Sequence, residues 1–355
     1  MQIKYPLLLA LLLLLATGCR DIHVKTSIKN NGEILRSYTV KQDKHKNGIK
    51  KAAREDQSQN KELPNLYFPI DTSWTIESHI DTLNNKKVDI YSKQFENSEA
   101  IQTYFDAQDY MLKPLSPKLS YKRNFRWFKT INKYSESYRS IFRGVEYKSV
   151  FSDKEIELIR AGKMNENDTI QKKFERWVAF HITDEIVWTV QNHTEEKIDL
   201  VDWKNIMYKR ISMSDNNDPL AENNPFDFPE LEEDRKELDL SDFDLLIETI
   251  EKYSNIQLSE PERNQIQTSL EQKMDIYMGL YTDDLYFSVK MPGKITQSNA
   301  DSINGRTAHW KMSPFIVGAP FKMEAVSSQS NAGIVVTLAV ILIIIIFIWL
   351  IRRKG

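Results

Sequence analysis

LSYKRNFRWFKTINKYSESYRSIFRGVEY, residues 119–147, is the stretch on which the architecture turns. Aromatic and other apolar residues recur in it at short intervals with Lys and Arg between them, which is the chemistry of half-buried strands. It predicts a hairpin folding near Thr130 to Lys133. A few residues later the pattern changes. Ser152-Asp153-Lys154-Glu155 sets a serine three places before a glutamate, so that each satisfies an unpaired amide of a first helical turn, and apolar spacing becomes helical from there on. Strands before this switch and helices after it predict an α+β chain.

Upstream, Ile22, Val24 and Ile28 alternate toward a turn at Asn30-Asn31-Gly32, and Ile34 to Val40 returns, which is a hairpin. Lys41 to Lys61 is rich in Lys, Asn and Gln, buries too little to order itself, and predicts a polar loop. Strands are expected over Ser73 to Ile80 and Lys87 to Ser92. A helix follows over Ser98 to Tyr110, carried by Ile101, Tyr104, Phe105 and Tyr110 and stopped by Pro114 and Pro117.

Downstream, Lys173 to Val190 is apolar nearly all round, with Trp177, Phe180, Ile186 and Trp188, and predicts a central buried helix. Ser241-Asp242-Phe243-Asp244 and Ser259-Glu260-Pro261-Glu262 mark two further helix starts. The last of these helices has an apolar face of Ile266, Leu270, Met274, Tyr277, Met278 and Tyr281. Strand character resumes at Leu285 to Met291 and Thr307 to Lys311, with turns at Pro292-Gly293 and Asn304-Gly305.

The two ends carry address signals. Lys4, an apolar run from Leu7 to Leu15, and Ala16-Thr17-Gly18-Cys19 form a signal peptide ending in a lipobox, so Cys19 is expected to be lipidated, carrying palmitate-type chains. The run is too short to span a hydrocarbon layer needing roughly 20 residues. Gly333 to Ile351 is free of charge and predicts a transmembrane helix, with Trp349 at the interface and Arg352-Arg353-Lys354 as its cytoplasmic flank. The expected plan is a signal peptide over 1–18, a β-rich part over 19–151 with the loop at 41–61, a helical insertion over 152–283, closing strands over 284–331, a transmembrane helix over 332–351 and a cytoplasmic tail over 352–355. The fold class is an antiparallel β-sheet domain next to the membrane with a large helical insertion and one C-terminal transmembrane helix. This places the chain in the cytoplasmic membrane, lipid-anchored and single-pass, with its ectodomain extracytoplasmic or periplasmic.

Composition excludes several chemistries. Cys19 is the only cysteine, so the ectodomain has no disulfide, thiolate metal site or thiol nucleophile. The net charge of -2 argues against nucleic acid as a partner. Charge is unevenly spread: Lys113 to Lys148 is basic, with only Glu136 and Glu146 as acids, while Asp215 to Asp244 is acidic against Arg235 and Lys236. The six histidines show no zinc spacing, the 11 glycines form no phosphate loop, and Asp215-Asn216-Asn217-Asp218-Pro219 lacks the glycine and terminal carboxylate of a calcium loop. No cofactor is expected. His181 with Asp184 and Glu185 shares one helix face, which could support acid-base work or a metal, although a satisfied, partly buried ion pair is the stronger reading.

Several short segments resemble the LppM-type bacterial lipoproteins. They are Cys19 followed by Ile22 to Val40 with its Asn31-Gly32 turn, Met291-Pro292-Gly293-Lys294-Ile295, Asn304-Gly305, Trp310, and the span from Gly333. The resemblance implies an α/β ectodomain similar to lipid-binding folds and a role at the envelope; no functional residue carries over with it. The residues themselves offer Tyr121, Arg123, Phe125, Arg126, Trp127, Phe128 and Lys129, amphipathic rings interleaved with cations, as candidates for meeting lipid headgroups. The bland alternative is a half-buried sheet with aromatics inside and cations in water. Three functions are therefore expected in order: a non-enzymatic membrane-tethered lipoprotein binding membrane lipid or an envelope protein partner, an accessory subunit of an inner-membrane envelope complex, and an envelope hydrolase using His181 and nearby carboxylates.

Overall fold

The computed structural model describes residues 20–43, 67–83, 86–126, 128–143, 146–194, 199–213 and 243–354. The signal peptide, Cys19, Trp127, the helix start at Ser241-Asp242 and the acidic stretch over 215–237 lie outside the described residues. The chain divides into two compact units: residues 1–138, 282–312 and 322–355 form the first, and 139–281 with 313–321 form the second.

The first unit opens with β1 (Asp21–Ile28) and β2 (Ile34–Asp43), paired antiparallel around a turn where Gly32 has φ +95°, a left-handed conformation that glycine adopts without strain. Their alternation is clean. Ile22, Val24, Thr26 and Ile28 are buried, as are Ile34, Arg36, Tyr38 and Val40 opposite them. β2 runs through Lys41 to Asp43, residues whose polarity suggested a loop. The remaining strands are β3 (Thr75–Asp81), β4 (Lys86–Phe95), β5 (Lys118–Arg126), β6 (Lys129–Tyr138), β7 (Asp284–Lys290), β8 (Lys294–Ser298), β9 (Ser302–Asn304), β10 (Thr307–Lys311) and β11 (Phe321–Ser330). Seven of the strands form one sheet in the order β3-β4-β2-β1-β7-β10-β9, and four form another in the order β5-β6-β11-β8.

Two expectations about these sheets are corrected. The larger sheet is mixed, because β1 and β7 run parallel with Ile22 beside Leu285 and Val24 beside Phe287. A parallel pair needs a long crossover rather than a tight turn, and here the crossover holds most of the chain. The second correction concerns the β5–β6 turn: Arg126 pairs with Lys129 and Phe125 with Thr130, so the strands close there and Thr130 to Lys133 is strand. Asn132, within the stretch expected to turn, is fully buried, and its amide donates to the Pro292 carbonyl (3.2 Å) and the Ser327 hydroxyl (3.4 Å).

The inward faces of the two sheets meet over α1 (Ser98–Ala107), which buries Ile101 and Phe105 and is started by Asn97 accepting from the Ala100 amide. Tyr38 stacks on Phe68 (4.6 Å between ring centroids) and Trp74 (5.0 Å) in this core. Pro292-Gly293 links β7 to β8, and Gly293 (φ +78°) passes so close to the Ser328 carbonyl that a Cβ there has no room.

The unit ends in a further helix, numbered α8 (Ala332–Lys354). It corrects the expected transmembrane helix over 332–351: among the described residues no helix is long and apolar enough to cross a membrane. The single-pass anchor and the inward-facing C-terminus are left without support.

The second unit is helical: α2 (Tyr147–Val150), α3 (Asp153–Arg160), α4 (Asp168–His193), α5 (Val201–Met213), α6 (Phe243–Ser254) and α7 (Glu260–Thr282). Ser152 caps α3 in the reciprocal arrangement its spacing requires, and α4 buries Phe174, Trp177, Ile182, Ile186 and Val190. On α7 the buried side chains are Ile266, Leu270 and Ile276, while Met278 and Tyr281 of the expected apolar face are exposed. The segment 313–321 returns to this unit. There Phe315 packs among Tyr147, Phe151, Phe174 and Trp177, and the Ile316 and Val317 carbonyls accept from the amides of Ile141 (2.9 Å) and Phe142 (2.8 Å).

Candidate functional site

Strand alternation sorts the aromatic-basic hairpin into two faces. Tyr121, Arg123 and Phe125 point to the same side as the buried Tyr134, Asn132 and Thr130 opposite them, while Lys122, Asn124 and Arg126 point outward with Lys133, Ile131 and Lys129. Near the tip the inner face runs out of cover, and Phe125 is 53% exposed. Phe128, in the turn, is 74% exposed. Of the candidate residues, then, the fold brings Phe125, Arg126, Phe128 and Lys129 together at one hairpin tip. Arg123 is exposed lower on the strand. Tyr121 is half-buried and donates its hydroxyl to Asn132 Oδ1 (2.8 Å), so it serves the sheet. Trp127 and the lipidation residue Cys19 lie outside the described residues.

The tip is tied down. Asn331, which directly precedes α8, donates its backbone N–H to the Phe128 carbonyl (3.0 Å) and its amide to the Arg126 carbonyl (2.7 Å). Its Oδ1 accepts from the Thr130 hydroxyl (3.1 Å). One buried asparagine thus satisfies the turn's carbonyls and holds two exposed rings and two cations in place beside the start of α8.

Behind the tip, the outward face of the four-stranded sheet forms an open groove of about 890 Å³, lined among others by Lys122, Lys129 and Lys133 from β5 and β6 and by Gln297 and Ser328 from β8 and β11.

Between the two sheets lies an ion pair that the sequence reading did not single out. Arg36, 0% exposed, makes a two-pronged bond to Glu136, 1% exposed, with both N–O distances 2.8 Å, and donates to the Thr26 hydroxyl (2.6 Å). Tyr138 donates to Glu136 Oε1 (2.6 Å) and Tyr134 to Oε2. Burial pushes the Glu136 carboxyl up, but the guanidinium and the two phenols outweigh it and hold the group below its ordinary range. Burial alone would lower Arg36, and Glu136 reverses this. The signal was present as one charge at an inward position on each of two facing strands, Arg36 within Ile34-Arg36-Tyr38-Val40 and Glu136 within Tyr134-Glu136-Tyr138. A neighbouring cluster fixes the first described residue: Arg20 donates to Asp283 through Nε (2.9 Å) and its backbone N–H (3.1 Å), and the Tyr67 hydroxyl also donates to Asp283 (2.8 Å).

In the helical unit, His181 is 1% exposed, set edge-on against Trp177 (4.3 Å), with Gly318 so near the imidazole that a Cβ has no room there. The carboxylates on its helix are engaged. Asp184 accepts from Tyr208 (2.6 Å) and pairs with Lys204 (2.6 Å), while Glu185 pairs with Lys273 and accepts from the Arg143 backbone N–H (3.2 Å). Among the described residues no group of three or more His, Cys, Asp and Glu side chains is placed to hold a metal.

No protein-family model matches the chain, and no curated protein matches it. Among solved structures it is similar to the NMR structure of the folded domain of the LppM protein of Mycobacterium tuberculosis, at 8% identity over 89% of this chain and 93% of that one, with a TM-score of 0.29. That is a weak likeness in fold, and it says nothing of what this chain binds.

Proposed function

We propose that this chain is a non-enzymatic cell-envelope lipoprotein that binds lipid at an anionic membrane surface through the tip of its β5–β6 hairpin. The observation that carries the reading is the exposure of Phe125 and Phe128 beside Arg126 and Lys129, on a turn pinned by Asn331. Two large rings held in water cost free energy that an interfacial lipid layer would recover, and each adjacent cation adds roughly 1 kcal/mol at an anionic surface. Pinning the turn lowers the ordering cost of binding. The lipobox ending at Cys19 would deliver the tip to that surface. A hydrolytic role for His181 has less support, since Asp184 and Glu185 are each held by a cation.

The test is a native mass spectrum of the detergent-extracted full chain. The wild type is expected to retain phosphatidylglycerol, and a Phe125→Ser, Phe128→Ser variant to retain about tenfold less. Retention unchanged in that variant, or absent from the wild type, overturns the reading.

A further inference from the structure

The outward face of the β5–β6 hairpin is built from like charges. Lys122 stands directly opposite Lys133, and Arg126 directly opposite Lys129. Side chains so opposed have Cβ atoms only about 4.5–5.5 Å apart, and like charges there destabilise a sheet. Elsewhere in this protein cations have carboxylate partners, as in Lys87–Asp89 (2.8 Å) and Lys311–Asp284 (2.7 Å). Among the described residues no carboxylate pairs with Lys122, Lys129 or Lys133. The one acid that lines the groove, Glu324, is neutralised by Lys322 at 2.7 Å. What remains of the lining is uncharged: Ser120 opposite Ser135 on the hairpin, Gln297 and Ser328 across from them, and the apolar Ile131 and Val326 between.

A concave, net positive face that offers hydroxyls, and whose lysines on adjacent strands have no carboxylate partner among the described residues, is complementary to a compact polyoxygen anion. Its volume, about 890 Å³, lies within the range of small-molecule sites. We infer that the groove binds a phosphate group, clamped by Lys122 from β5 and Lys133 from β6 with Lys129 as a third cation toward the tip, the phosphate being carried by a lipid headgroup or by a soluble phosphate ester. The lipid form of this inference rests on the proposed function, since the rings that would enter the lipid layer sit at the end of the same hairpin. Ammonium donors to an anion are charge-assisted bonds, the strong class of hydrogen bond. The bound anion also removes the cross-strand repulsion, so binding should raise stability.

The experiment follows the thermal midpoint of the full chain in a non-ionic detergent during titration with inorganic phosphate and with glycerol 3-phosphate, for the wild type and for a Lys122→Gln, Lys133→Gln variant. The midpoint of the wild type is expected to rise with either ligand, by less at higher salt. The variant without ligand should be at least as stable as the wild type, because the repulsion is gone, and should bind each ligand at least about tenfold more weakly. An equal rise in both proteins, or none in the wild type, overturns the inference and leaves the lysines as a solvated face. Native mass spectra of the same two proteins with phosphatidylglycerol give the lipid arm. Lipid retained by the tip but indifferent to Lys122 and Lys133 defeats the groove and spares the tip. Phosphate binding lost in the lysine variant, with lipid retention insensitive to Phe125 and Phe128, defeats the tip and spares the groove, assigning it a soluble ester.

Discussion

Arg36 and Glu136 show how much a single pair of residues decides. Two full charges out of water are tolerated because each finds its counter-charge and three hydroxyls, from Thr26, Tyr134 and Tyr138, complete the network. Glu136→Gln keeps the shape and an acceptor for one phenol but leaves the guanidinium buried without a counter-charge. It should cost about 3–5 kcal/mol, read as a lower urea midpoint with an unchanged slope. The same pair sets the response to acid. The folded-state pKa of Glu136 lies below its unfolded value near 4.5, so its contribution is full above that pH and is lost as pH falls through the folded value. Glu155, held at about 2 by the Ser152 amide and by Lys173, loses its contribution over the window from about 4.5 to 2, in smaller measure because it is partly open to solvent. The stability of Glu136→Gln, read as urea midpoints at a series of pH values, should therefore depend less on pH below about 4.5 than that of the wild type. An identical pH dependence would remove Glu136 from this account.

At the scale of elements, locally encoded features were legible. The Asn31-Gly32 turn, the alternation of β1 and β2, and the cap of α3 all depend on neighbours a few residues away. Ser152→Ala should destabilise the helical unit by about 1 kcal/mol, and Ser152→Thr by much less, measured by urea unfolding monitored by circular dichroism. The β5–β6 turn was misplaced for an instructive reason. Asn132 is a good turn residue in isolation, and what places it in a strand is acceptors at Pro292 and Ser327, 160 and 195 residues away. The candidate site shows the same division. Interleaved aromatics and cations marked the hairpin, but that Tyr121 bonds Asn132 while Phe125 and Phe128 reach solvent depended on where the covering sheet ends.

For the whole molecule, the division of the chain is not one insertion between two halves of a sheet. Residues 313–321 leave the strands and supply Phe315 to the aromatic cluster of the helical unit. A fragment of residues 139–281 should therefore expose Phe151, Phe174 and Trp177 and bind a hydrophobic dye such as ANS. Joining 313–321 to it through a flexible linker should restore a cooperative transition and suppress the dye signal. Equal dye binding by both fragments would show that the segment is dispensable to that core.

By itself the sequence determined the kinds of elements and their order, strands giving way to helices near Ser152 and returning near Asp284, because hydrophobic period, capping and turn chemistry act over a few residues. It also determined the address expected of its two ends, of which the spanning helix is not upheld among the described residues. Only the tertiary structure decided that β1 lies parallel to β7, that Arg36 meets Glu136, that Asn331 pins the hairpin tip, and that three lysines share one groove. Each of those joins residues far apart in the chain, and their pairing is set by which buried polar groups and apolar faces can be satisfied together, a condition that no local window contains.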